Sequence, residues 1–297
     1  MVTNELTSSS VTSSRMRSVP QVRYVSLHGF NVQITAPSSL KRTLDIVLGS
    51  YPSAPEDCSV DIQVIAERDK TNRKLIHIKA DGHSYPEASK NGRASVRVEW
   101  MVISELVRKW TRFVHVHAGL IATESQSVLL IGRSGAGKST TTVAMAMEGM
   151  DLFSDDVALI DRETMRPWAV PRPIKLDLRS RRLLRQRGLT IPQGSRLGES
   201  IERAVLPGLP PIDLPGPPLT KAIFFANGRA DQPSLRPLTR AEAVMRLVVQ
   251  SASERMDFSG PTEGAMTIIN SVDCYELQGG ELAMTVELLK SQLLDHN

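Results

Sequence analysis

Eight consecutive residues constrain this chain more than any others. Gly132-Arg133-Ser134-Gly135-Ala136-Gly137-Lys138-Ser139 fit the pattern G-x-x-x-x-G-K-[ST]. Their surroundings fit as well. Ser127 to Ile131 is an apolar run suited to a buried strand, and Thr140 to Met147 suits a helix. A strand, a glycine-rich loop and a helix in that order make a phosphate cradle. The glycines let successive N–H groups point at one anion, and the helix N-terminus adds partial positive charge. Lys138 is then expected to reach the β- and γ-phosphates of a nucleotide, and the Ser139 hydroxyl to ligate Mg2+. The nucleotide-binding set is Gly132, Ser134, Gly135, Ala136, Gly137, Lys138, Ser139 and Thr140.

The rest of the chain frames this motif. With 297 residues there is room for one large domain or two modest ones. Hydrophobic content of 41% and charged content of 23% predict a globular protein. No apolar run suits a membrane span, and Met1 to Ser18 reads as a Ser/Thr-rich disordered tail without a signal peptide's apolar core. Cys58 and Cys274 are far apart and form no metal pattern, as in a cytoplasmic protein. A net charge of +4 is too small to argue for nucleic-acid binding, and 4% aromatics argue against a stacking platform for it. Lys175, Arg179, Arg181, Arg182, Arg185 and Arg187 do cluster, either as a solvated helix face or as a basic rim for phosphates or an acidic substrate.

Residues 21–112 read as a small α+β region. Period-two alternation predicts strands at Tyr24–Leu27, Asn31–Ile34, Val60–Ile65, Leu75–Ile78 and Ala94–Val98, mostly antiparallel, with helices near Leu40–Leu48 and at Met101–Phe113. No chemistry is visible there. From residue 113 to 297 the motifs are denser. Val114–Ala122 predicts a strand and turn, and Leu152–Asp161 an apolar strand holding Asp155 and Asp156. Two adjacent buried carboxylates need a metal, a cation or a proton; the alternative is a pair exposed at an edge turn. Leu178–Gly188 is a helix, Pro207–Pro218 with its six prolines is irregular, and Lys221–Phe225 is a core strand. Thr239-Arg240-Ala241-Glu242 is a capping box opening a helix. A strand at Val272–Leu277 and a helix at Leu282–Leu294 follow.

Only one helix, about 16 Å long, separates Lys138 from the acidic pair. This combination resembles the HPr kinase/phosphorylase family and its stand-alone relatives, which share a nucleotide-binding core with the phosphoenolpyruvate carboxykinases. The resemblance spans His115 to Leu294 and is strongest from His117 to Asp161. It rests on His117-Ala118-Gly119 before the strand, on the Gly132–Ser139 loop, and on Asp155-Asp156 after the helix. It implies an α/β fold with a P-loop core of the HPr kinase/phosphoenolpyruvate carboxykinase type, and ATP and Mg2+ as cofactors. It also implies roles: Asp155 as the base for a serine hydroxyl, His117 beside Asp155, and Asp156 with Ser139 on the metal. Arg172 or Lys175 is a weaker candidate for the transferring phosphoryl group.

The chain departs from the family's Glu-x-Arg-Gly-x-Gly-Ile-Ile-Asp loop. Leu206–Leu214 keeps Gly208 and Ile212-Asp213 but has neither the Glu nor the Arg, with Glu199 or Glu202 as substitute acids. Phosphorylase activity is therefore not expected. Divergent relatives include kinases for serine in ribosomal precursor peptides, such as lasso peptides. The expected activity is ATP-dependent phosphorylation of a serine in a peptide or small protein, with no nucleic-acid or membrane partner. Two other readings stand beside it: a small-molecule kinase, and a nucleotide-binding regulatory module without catalysis. The bifunctional family forms hexamers, but motifs do not carry that assembly over; a homo-oligomer is an open alternative to a monomer.

Overall fold

The computed structural model describes residues 19–72, 74–87, 91–253 and 261–294; the tail expected at 1–20 lies outside them except for its last two residues. The architecture is mixed α/β. Strands β1 (Gln21–Leu27) and β2 (Phe30–Ala36) form a hairpin, helix α1 (Lys41–Leu48) follows, and β3 (Ile62–Arg68), β4 (Ile76–Ala80) and β5 (His83–Glu87) complete a sheet. Its order is β1-β2-β3-β4-β5. The β2–β3 pairing is parallel, with α1 in the crossover, and the others are antiparallel.

Helix α2 (Asn91–Lys109) then packs on this sheet. The strand expected at Ala94–Val98 is part of this helix, which begins ten residues before the predicted Met101. Five alternating residues suggested period two, but Ala94, Val98, Met101, Val102 and Leu106 are all buried, and that spacing follows one helical face. Sheet contact over the longer window decides the conformation.

The predicted strand and turn at Val114–Ala122 are two strands, β6 (Phe113–Val116) and β7 (Ala118–Ala122). After β8 (Ser127–Ile131) and helix α3 (Lys138–Met147), the predicted Leu152–Asp161 strand is also divided, into β9 (Asp151–Ser154) and β10 (Ala158–Asp161). The short strands β11 (Pro167–Trp168) and β12 (Ile174–Lys175), helix α4 (Leu178–Gln186), and β13 (Arg196–Leu197) and β14 (Ser200–Ile201) come next. The chain closes with β15 (Leu219–Phe225), β16 (Ser234–Pro237), α5 (Arg240–Ser253), α6 (Pro261–Ser271), β17 (Asp273–Gln278) and α7 (Leu282–Leu294). Sequence patterning had not indicated β5, β16 or α6. It had indicated the α5 capping box, in which the Thr239 N–H donates to Glu242 (2.8 Å) and the Glu242 N–H to the Thr239 hydroxyl (3.3 Å).

A six-stranded sheet ordered β16-β17-β15-β8-β7-β9 organises the second half. Its centre, β17-β15-β8, is parallel, and its flanks are antiparallel. Both faces are covered, so β8 is buried throughout and apolar from Val128 to Ile131. Val128 and Leu130 share a core with Val143 of α3 and Val286 of α7, while Leu129 and Ile131 share another with Leu247 of α5 and Ile268 of α6. A smaller sheet, β11-β10-β6, lies beside it. Val157, Leu159 and Val170 join the core of the N-terminal sheet, so the two halves share buried apolar surface. Pro207–Pro218 is irregular apart from the Trp168–Pro215 bridge. Gly208 approaches so closely that a Cβ there would lie 2.1 Å from the Met150 carbonyl oxygen. Among the described residues no helix is long and apolar enough to cross a membrane.

Candidate active site

The Gly132–Ser139 loop leaves the C-terminal end of β8 and enters α3 at Lys138. Gly135 (φ +80°) and Gly137 (φ +102°) take left-handed conformations that residues with a Cβ avoid, and these bend the chain around a cradle. The Ala136 N–H donates to the Arg133 carbonyl (3.0 Å), closing the turn. The Lys138 ammonium is buried and donates to the carbonyls of Gly132 and Arg133. The Thr140 hydroxyl donates to Ser180 (2.7 Å), which ties α3 to α4. The first-turn N–H groups of a helix have no carbonyl partner within it, so the loop and α3 together offer an anion site.

The facing wall is made where two chain segments change sheets. β7 and β9 pair in the large sheet, whereas β6 and β10 pair in the small one. The first segment crosses between sheets at His117, and the second at Asp155, Asp156 and Val157. The bracketing pairs Val116–Ala158 and Leu120–Ser154 set the two crossings side by side. The Ser154 hydroxyl oxygen accepts from the N–H groups of Asp156 (3.2 Å) and Val157 (2.9 Å), which shapes the turn. The acidic pair thus ends a strand, and Asp155 is only 3% exposed.

Adjacent in sequence, the two aspartates have opposite surroundings. Asp155 adjoins the Ser139 hydroxyl, and its carboxylate accepts from the Lys175 N–H (3.4 Å). Burial, and then the charge of Asp156, push its pKa up to about 6, against the pull of Arg172 and these hydrogen bonds. Burial also disfavours charge on Asp156, but His117, Arg172 and Lys175 outweigh it and hold Asp156 well below the usual carboxylate range. His117 Nδ1 lies 2.9 Å from Asp156 Oδ1. Arg172 NH1 donates to Asp156 Oδ2 (2.7 Å), and Nε and NH2 form a fork to Glu99 (2.8 and 3.3 Å). The Tyr51 hydroxyl donates to the same Glu99 (2.8 Å). Burial opposes charge on Arg172, but the two carboxylates hold its pKa far above normal. Arg203, also buried, donates to the carbonyls of Leu152 and Phe153, and burial lowers its pKa to about 10.

Several sequence expectations change here. His117 Nδ1 lies against Asp156, whereas it was expected beside Asp155, and the Ser139 hydroxyl, expected with Asp156 on the metal, also bonds to Asp155. The reason is the turn after Ser154, which sends adjacent side chains in different directions. Arg172 is neither solvated nor on the cavity surface; it is buried between Glu99 and Asp156, while Lys175 lines the cavity. The basic run divides. Arg179 faces the cavity, Arg181 is buried on the Gly198 carbonyl, and Arg187 pairs with Glu148. Glu199 lines the cavity, but Glu202 lies near Gly49 and the Leu206–Leu214 segment packs beneath β9.

One cavity of about 710 Å³ unites these parts. Ser134 to Thr140 form its floor, and His117, Asp155 and Asp156 stand at one side. Of the predicted nucleotide, metal and catalytic residues Gly132 does not line it, and of the weaker candidates neither Arg172 nor Glu202 does. A Cβ on Gly132 would lie 2.8 Å from that of Phe225, so its role is packing. Beyond the acidic pair the wall is Trp100, Lys175, Arg179 and Glu199; across the loop it is Phe225, Arg229, Gly279 and Leu282. Among the described residues no cluster of three or more His, Cys, Asp or Glu side chains is arranged to hold a metal. A cation here would draw on Ser139 and one or two carboxylates, a donor set that suits Mg2+ completed by phosphate oxygens and water.

Sequence reasoning missed Tyr51, Glu99, Trp100 and Arg203. Glu99 left one trace, a carboxylate within the buried face Val98, Met101, Val102. Arg203 and Tyr51 left none, since their partners are distant in the chain. The chain matches no protein-family model, and no curated protein matches it.

Proposed function

We propose that this protein is an ATP- and Mg2+-dependent kinase that phosphorylates a serine hydroxyl of a peptide or small protein, on a P-loop core like that of the HPr kinase/phosphorylase family. The observation that carries the reading is that Asp155, bonded to the Ser139 hydroxyl, shares one cavity with the glycine-rich loop and Lys138. When bound, Mg-ATP supplies the phosphoryl group and the cation that offsets its charge.

The chain's own residues then have separable tasks. Loop N–H groups and the Lys138 ammonium hold phosphate oxygens. Ser139 and Asp156, directly or through water, would hold the cation. Asp155 takes the proton of the acceptor hydroxyl as the acceptor oxygen bonds to phosphorus and the bond to the leaving diphosphate breaks. A buried carboxylate with a raised pKa is better matched to that proton transfer near neutrality than an ordinary one. His117 and Arg172 keep Asp156 ionised and oriented. The wall of Trp100, Lys175, Arg179 and Glu199 faces the acceptor side.

The test is mass spectrometry of acceptors incubated with the protein, ATP and Mg2+, with Lys138→Ala as control. The panel holds HPr and small peptides encoded beside the gene. One added phosphoryl group on a peptide serine, absent with the control, supports the reading. Intact nucleotide binding with no modified acceptor shifts support to a metabolite kinase or a nucleotide-binding regulator.

A further inference from the structure

The N-terminal half sends one charged group into the second half's site, and it does so through buried residues. Glu99 is 1% exposed on α2, and both of its oxygens are engaged by Arg172. Arg172 spends its remaining nitrogen on Asp156, whose other oxygen meets His117. From Tyr51 to His117 this makes a continuous path, Tyr51–Glu99–Arg172–Asp156–His117, with polar separations of 2.7–2.9 Å at each closest step. Charge neutrality alone does not require it. Arg172 and Asp156 already balance each other, and a buried Glu99 adds a negative charge at a cost in desolvation. What Glu99 adds is geometry. A guanidinium gripped along one edge by a fork cannot rotate, so its third nitrogen presents a fixed donor to Asp156.

We infer that Glu99 is a positioning residue for phosphoryl transfer: by clamping Arg172 it fixes the Asp156 carboxylate, and through it His117, at the wall of the cavity. This rests on the kinase reading above. It makes the N-terminal half part of the catalytic apparatus, although Glu99 touches neither nucleotide nor acceptor.

With Glu99→Gln one fork bond is lost and Arg172 is free to turn toward Asp156. Misplacement on the ångström scale lowers turnover by roughly tenfold to a hundredfold. The expected result is a kcat reduced by that factor, with ATP affinity measured by calorimetry unchanged within about threefold. Tyr51→Phe removes a single bond to Glu99 and should lower kcat by a smaller factor, which keeps the test open if Glu99→Gln folds poorly. A second readout needs no nucleotide. The ring-nitrogen NMR signals of His117, assigned by their loss in His117→Gln, should shift in both variants and stay put in Thr239→Ala. Normal kcat in both variants, a fall in ATP affinity as large as that in kcat, or unmoved His117 signals would overturn the inference while leaving the kinase reading intact. A wild-type protein that transfers no phosphoryl group, to acceptor or to water, would overturn both.

Discussion

The floor and the wall of the cavity are built in different ways. The floor, Ser134 to Thr140, is contiguous, and its shape comes from two glycines and the start of one helix. The wall takes His117 from one sheet crossing and the aspartates from another, and it is backed by Arg172 from the segment before β12 and Glu99 from α2, both buried behind it. A contiguous cradle needs only local conformation. An assembled wall needs both halves folded against each other, so its charges are sensitive to changes far from the cavity.

Substitutions can separate the two. The largest effect is expected for Asp155→Asn, which should lower phosphoryl transfer by roughly a thousandfold. Nucleotide binding should persist, since the loop is untouched; calorimetry beside a turnover assay measures both. If transfer survives, the wall has no base and the regulatory reading gains. Arg172→Met should show the wall's structural weight. It leaves Glu99 and Asp156 as uncompensated buried charges, a loss of about 3–5 kcal/mol. Thermal melting should move down by roughly 10 °C.

Lys138→Ala tests the floor. It should weaken nucleotide binding by roughly tenfold to a hundredfold, the value of a strong charged hydrogen bond, while leaving the melting temperature nearly unchanged. A large fall in melting temperature would mean that the floor is not the self-contained unit described above.

Acid should act behind the wall. His28, whose Nε2 lies 2.9 Å from the Ala169 carbonyl oxygen beneath Trp110 and Trp168, and His115 of β6 both have pKa values lowered from 6.5 to about 4, chiefly by burial. Protonation is thus harder in the folded than in the unfolded chain. Their contribution to stability is fully present above pH 6.5 and is lost as pH falls toward 4. Melting temperature should drop across that window, and His28→Gln should flatten the slope. The smallest effect is expected at Thr239→Ala, remote from floor and wall. Loss of the α5 cap should cost about 1 kcal/mol, or roughly 2–4 °C, with transfer unaffected.

What could be read from the chain alone follows the same division. The Gly132–Ser139 loop, the strand before it, the helix after it and the α5 capping box all hold in the fold, because backbone preference and short-range hydrogen bonding decide them within a few residues. Asp155 and Asp156 were singled out because carboxylates stand out in an apolar run, and His117 through the family resemblance; the structure brings all three to the cavity. His117 was expected beside Asp155 and lies against Asp156, because one turn at Ser154 directs the two carboxylates apart. Ala94–Val98 was misread because five residues cannot distinguish a period of two from a helix whose other contacts lie on a distant sheet. The Glu99–Arg172 clamp joins residues 73 positions apart, and Arg203 reaches back about 50 to the β9 carbonyls. A buried charge has meaning only through what surrounds it, and packing of the two halves alone supplies those surroundings. The sequence determined the glycine-rich loop signature and the inventory of charged groups; tertiary structure decided that Asp155 is buried beside Ser139, that Asp156 is held by His117 and Arg172, and that Glu99 of the N-terminal half grips that arginine.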